Sequence, residues 1–282
     1  MNCDVAELRN FYNRPLGSMV RRLLAHRIRA RWRRLQGETL IGLGFATPYL
    51  GSFRGEALRI GALMPAAQGA LVWPDIGAKM SALVDEEHLP LPDSSVDRLL
   101  AVHCLETADR PRTMLREIWR VLAPQGRLMM VVPNRRGVWA RLDRTPFGQG
   151  RPYSRTQLED LLSEAMFAPL EWSQALYVPP VESKMVIRSA TAFERVGARL
   201  SRGFGGVILV EARKELTVPI IKKAPARVLG RLVTAPGGAN PRSETEEKRI
   251  AGPDQIADRR FRRNTAFSPK MFCTVSGTRG ES

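Results

Sequence analysis

From residue 38 onward, short continuous apolar runs alternate with stretches of helical period. The runs TLIGLG (39–44), LRIGALM (58–64), DRLLAVHC (97–104), RLMMVVP (127–133), LEWSQALYV (170–178) and GGVILVEARK (205–214) read as strands, and a further short strand falls within 81–106. Before them, Val20, Leu24, Ile28, Trp32 and Leu35 form one apolar stripe in a helix expected over residues 5–35, with Arg on its other faces. Met114, Ile118 and Val121 repeat at helical spacing, and Pro124 with Gly126 ends that helix. Tyr153-Ser154 opens the helix RTQLEDLLSEAMF, and 187–201 reads as another.

Strand–helix alternation with unbroken apolar strands predicts an α/β fold. It is a doubly wound, mostly parallel, seven-stranded sheet covered on both faces, with the last two strands as an antiparallel edge. A long loop spans Asn134 to Arg151. After Glu215 periodicity is lost among Pro, Gly, Ser and Arg, so 216–282 is expected to be disordered. The expected organisation is a basic helical segment over 1–37, a main domain over 38–215 and a tail over 216–282.

Charge sharpens this division. The net charge is +16, with +7 in residues 1–37 and +7 in 216–282, leaving 38–215 near neutral at +2. A basic amphipathic helix can bind a membrane surface or nucleic acid. Packing of its stripe on the body with the Arg side chains in water is the favoured reading. Cys3, Cys104 and Cys273 lie far apart, with neither metal-ligand spacing nor an even count. The start MNCDVAELRNFY lacks the apolar core of a secretory signal, and no run approaches the roughly 18 apolar residues of a membrane span. A cytoplasmic location is the expectation.

In an open α/β sheet the ligand sits at the carboxyl ends of the strands, where the first strand's loop offers backbone amides. That puts Gly44, Phe45 and Ala46 at the ligand, with Thr47 and Pro48 opening a helix. The segments VDEEHLPLPDSSVDRLLAVHCLE, LREIWRVLAPQGRLMMVVPN and PYSRTQLEDLLSEAMFAPLEW together resemble the class I S-adenosylmethionine-dependent methyltransferases, in their small-molecule branch, over about residues 38–215.

The resemblance implies S-adenosyl-L-methionine as cofactor. It assigns Asp85 to the adenine amino group, Glu86 to the adenine edge, Asp97 to the start of the fourth strand, and LAPQGRL to the family's Leu-x-Pro-Gly-Gly turn, with Gln125 for one glycine. Gly42, Gly44, Phe45, Ala46, Leu63 and Val102 complete the expected cofactor set. The departures are in the first half: Gly42 stands where the family has an acid, Ala46 and Pro48 where it has glycines, and Leu63 or Met64 where an acid grips the ribose hydroxyls.

Methyl transfer relies mainly on proximity and orientation, so no compact catalytic signature is required. His103, at the end of the fourth strand, is a candidate general base, or else a strand cap. Glu106 reads as a helix-start residue and Tyr12 as core. Cys104 beside His103 suggests a nucleophile pair only until strand alternation is considered. His26 and His88 read as surface residues. Trp139, Phe147 and several Arg of the 134–153 loop could shape an acceptor pocket, or form a solvated loop with one aromatic anchor. Three functions compete: an S-adenosylmethionine-dependent methyltransferase of undetermined acceptor, with a small molecule as the expected partner, a methyltransferase-fold binding or regulatory protein that has lost catalysis, and an RNA methyltransferase using the basic ends.

Overall fold

The computed structural model describes residues 4–200 and 203–216. The tail expected to be disordered lies almost entirely outside them. Seven strands form one sheet in the order β3-β2-β1-β4-β5-β7-β6. They are β1 (Thr39–Gly44), β2 (Arg59–Pro65), β3 (Ser81–Val84), β4 (Val96–Val102), β5 (Leu122–Pro133), β6 (Phe167–Ala175) and β7 (Val207–Lys214). Pairs among β1 to β5 are parallel, and β7 runs antiparallel between β5 and β6. The expected doubly wound sheet with an antiparallel edge is therefore observed. Strand order reverses between β1 and β4, which makes their carboxyl ends the topological switch point.

Alternation along the strands explains the two cores. Leu100 and Val102 of β4 enter one apolar cluster, Leu99 and Ala101 the other. The first cluster is covered by α1 (Val5–Asn13), α2 (Pro15–Arg31) and α3 (Thr47–Leu50). The second is covered by α4 (Pro111–Val121) and α5 (Arg155–Glu164). The stripe Val20, Leu24, Ile28, Trp32 and Leu35 is buried in the first cluster, so the basic N-terminal segment does lay its apolar side on the body.

The single helix expected over 5–35 is two helices. Pro15 forces Arg14 into an extended conformation, ending α1, and itself starts α2. Asp4 caps α1 through the Ala6 amide, 3.2 Å away. The expected helix 187–201 is likewise split into α6 (Lys184–Arg188) and α7 (Ala190–Leu200). β6 begins three residues before the expected Leu170, because α5 stops at Glu164 and Met166 turns the chain with φ +58°. α4 ends at Val121 and β5 follows at once; Ala123–Gly126 bulges from the ladder, with Gln125 at φ +65° where the family has a glycine.

Candidate active site at the switch point

β1 ends in Gly44, whose φ is +76°. A side chain there would meet the Val102 carbonyl at 2.3 Å and Cys104 Cβ at 2.8 Å, so glycine is demanded by the conformation and by the close approach of β4. Phe45 N donates to Val102 O at 2.8 Å, closing the turn. At Gly42 an added Cβ would lie 2.7 Å from Leu50 Cδ1 and 2.8 Å from Ala46 Cβ. An acid at that position would displace the Leu50 side chain and crowd Ala46, because the start of α3 sits against the strand.

Across the switch point β4 ends at Val102, and His103 takes a left-handed φ of +52°. For a non-glycine residue this conformation is strained and is held only by its surroundings. Gln68 supplies part of the hold, its side-chain amide donating to the His103 carbonyl. The backbone carbonyl of Gln68 accepts from Val5 N at 2.8 Å, tying the start of α1 to the same point.

The His103 ring lies in a chain of buried polar groups. Nδ1 is 3.1 Å from Glu106 Oε1, Nε2 is 2.9 Å from the Tyr12 hydroxyl, and that hydroxyl is 3.0 Å from the hydroxyl of Tyr49. An ionised Glu106 only accepts, so Nδ1 carries a proton. In neutral imidazole Nε2 then accepts from Tyr12, and Tyr12 accepts from Tyr49. Glu106 Oε2 is buried with no hydrogen-bond partner. Glu106 is thus no helix start: its side chain turns inward to orient the imidazole, and its carbonyl accepts from Arg151 N at 2.8 Å. Burial pushes the Tyr49 phenol far above its ordinary pKa.

Aromatic rings close the site. Tyr12 stacks on Phe45 at 5.4 Å, Phe147 lies 4.7 Å from the His103 ring, and Phe11 packs edge-on against Phe147 at 6.2 Å. Trp139 contacts Phe147 edge-on at 5.6 Å and donates from Nε1 to Val178 O at 2.7 Å. Both aromatics of the long loop are fully buried, so it is not the solvated loop with one anchor. Cys104 lies past the strand end. Burial, then the negative charges of Glu106 and Glu86, push its thiol well up, which leaves it un-ionised and inert.

The cofactor set expected from sequence is brought together only in part. Gly44, Phe45, Ala46, Val102 and His103 share the switch point, all buried. Leu63 and Met64 go to opposite cores, as neighbours on a strand must. Leu63 packs in the second cluster, and Met64 packs in the first, where its Sδ accepts from Leu71 N at 3.1 Å. Asp85 follows β3 and is exposed. Its carboxylate is engaged by His88 Nδ1 at 3.0 Å and Glu87 N at 2.8 Å, which, His88 foremost, hold its pKa below the usual carboxylate value. Glu86 is half-buried. The cavities of about 890 and 780 Å³ do not open on the glycine turn.

Sequence reasoning missed Gln68, Tyr49 and the role of Glu106. Only the i,i+3 spacing of His103 and Glu106 carried a signal. Among the described residues no cluster of three His, Cys, Asp or Glu could hold a metal, and no helix is long and apolar enough to cross a membrane.

S-adenosylmethionine would fit here only with Tyr12 and the Leu50 side chain displaced from the glycine turn. The acid position of β1 is filled by Leu50, the ribose position is apolar, and Tyr12 of α1 lies on the loop that would present amides.

Residues 68–130 match the family model of a methyltransferase domain. The match begins after β2, and so leaves out β1, the glycine turn and the ribose position. Two solved structures share the fold. A possible histamine N-methyltransferase of Thermotoga maritima is 19% identical, with 75% of this chain and 96% of that one covered at a TM-score of 0.50. A Haloferax volcanii protein described as a methyltransferase, in complex with the Trm112 methyltransferase activator, is 20% identical, with 67% and 88% covered at a TM-score of 0.51. At these identities the likeness establishes the fold. No curated protein sequence matches the chain.

Proposed function

We infer that this chain is a class I S-adenosylmethionine-dependent methyltransferase that acts on a small-molecule acceptor at a site covered by α1, a reading supported by the methyltransferase-domain match over residues 68–130 and by the fold. The observation that carries this reading is the buried chain Tyr49–Tyr12–His103–Glu106, built on a strained backbone at the switch point. An imidazole held between a buried carboxylate and a phenol, on a left-handed backbone, has the arrangement of an oriented base.

When bound, the cofactor supplies an electrophilic methyl group. On this reading Glu106 fixes the proton on His103 Nδ1, leaving Nε2 as the base. Tyr12 now occupies Nε2, and an acceptor hydroxyl or amine takes its place when α1 lifts. Phe147 and Trp139 form the apolar wall that excludes water. Asp85 and Glu86, at the open rim, are assigned to the adenine.

A second reading has its own observation. The apolar ribose position and the collision at Gly42 favour a methyltransferase-fold binding or regulatory protein without turnover. Titration calorimetry with S-adenosylhomocysteine separates the two. The parent chain is expected to bind weakly, and Tyr12→Ala about tenfold more tightly, or about 1.4 kcal/mol, once the ring is gone from Phe45. Thermal denaturation checks that the variant is folded. Absence of binding by both at millimolar ligand would give the second reading first place.

A further inference from the structure

The cavity of about 890 Å³ is a groove between α2 on one side and α6 with α7 on the other. Arg22 and Arg27 of α2 line it, together with Arg188 and Arg195. Arg22, Arg188 and Arg195 stand in no ion pair among the described residues, and Arg27 has Glu194 at 3.6 Å. Glu194 is the sole acid lining the groove and is only 6% exposed. One of its oxygens accepts from Tyr177 N at 2.7 Å, and Oε2 has no hydrogen-bond partner. The floor is apolar: Met19 and Ala190 are buried, and Leu23 and Ile187 pack on the first core cluster. The groove shares no residue with the switch-point site.

Guanidinium groups facing one cavity without carboxylates repel one another, and a phosphate between them relieves that repulsion while accepting paired hydrogen bonds. A buried carboxyl oxygen without a partner is costly until a ligand reaches it. A hydroxyl suits it in either protonation state, donating to the carboxylate or accepting from the acid. The volume falls in the range of small-molecule sites, roughly 300–1,000 Å³. We propose that this groove binds a nucleoside diphosphate, with its phosphates on the arginines, a sugar hydroxyl on Glu194 and its base on the apolar floor. Inorganic phosphate would leave Glu194 and the floor unused, and an uncharged nucleoside would leave the arginines unmatched. The proposal does not depend on catalysis at the switch point.

The test is titration calorimetry of the full chain with UDP, whose base avoids the adenine recognition assigned to Asp85 and Glu86. UDP should bind, and uridine and pyrophosphate should each bind at least about tenfold more weakly. Saturating S-adenosylhomocysteine should leave UDP affinity unchanged. The double variant Arg188→Glu, Arg195→Glu should lose about tenfold or more. Ala198→Trp, which fills the groove without altering its charge, should lose as much. Both arginines are exposed, so thermal denaturation should show the double variant folded. The proposal is overturned if millimolar UDP does not bind, or if the folded double variant binds it like the parent. Displacement of UDP by S-adenosylhomocysteine would move the binding to the switch point and equally overturn it. Tighter binding of a ten-residue oligouridylate than of UDP, lost in the same double variant, would assign the groove to RNA instead.

Discussion

Glu106 and Glu211 are equally buried, at opposite ends of the sheet, and are treated in opposite ways. Glu211, on β7, is surrounded. Oε1 accepts from Trp32 Nε1 at 3.0 Å and Arg127 at 3.1 Å, with Arg98 at 3.7 Å, and Oε2 lies 3.4 Å from Arg31. It locks the end of α2 to the sheet. Glu106 faces one histidine, and one of its oxygens has no hydrogen bond. A saturated buried carboxylate is a structural clamp. An unsaturated one beside a strained histidine keeps bonding capacity for something else.

This contrast can be broken by experiment. Glu211→Ala removes the buried acceptor of the Trp32 indole and one partner each of Arg31, Arg98 and Arg127, and should cost about 2–3 kcal/mol in urea denaturation. Glu106→Gln should cost less than about 1.5 kcal/mol, since the amide oxygen still accepts from His103 and the unpaired buried charge is gone. Equal losses for the two variants would refute the distinction.

A smaller effect tests how the loop over Glu106 is held. Ser154 and Gln157 form a reciprocal cap at the start of α5, with Ser154 Oγ accepting from Gln157 N at 3.2 Å. Ser154→Ala should lower stability by about 1 kcal/mol in thermal denaturation.

The smallest effect concerns a third buried carboxylate. Burial pushes Glu194 above the usual carboxylate range, against the opposing Tyr177 N–H and Arg27. Its folded pKa is therefore raised, so the stability it contributes is present at acid pH and lost as pH rises through the folded value. Glu194→Gln should flatten the decline in stability as pH rises above about 4, the ordinary glutamate value, in paired denaturation curves. An identical pH profile for the variant would count against the burial effect.

Much of the fold was legible in the sequence because it rests on local periodicity. The apolar runs of β1, β2, β4 and β5, the stripe of α2 and the cap of α5 each follow from neighbours a few residues apart. The split of the first helix is also written in the chain, at Pro15. The glycine turn and the apolar residues at 63 and 64 could likewise be read. What sequence could not supply was the company each residue keeps. Tyr12 meets His103 from 91 positions away, Trp32 meets Glu211 across 179, and Gln68 joins α1 to the end of β4. Such contacts depend on the sheet bringing strand ends together and on a proline turning α1 back across them. Local pattern therefore determined which residues are strand, helix and core. Only the tertiary structure decided that Glu106 orients a histidine, that Glu211 clamps a helix, and that the cradle is filled by the chain's own aromatic rings. Burial and long-range pairing, which set these roles, leave no periodic trace in sequence.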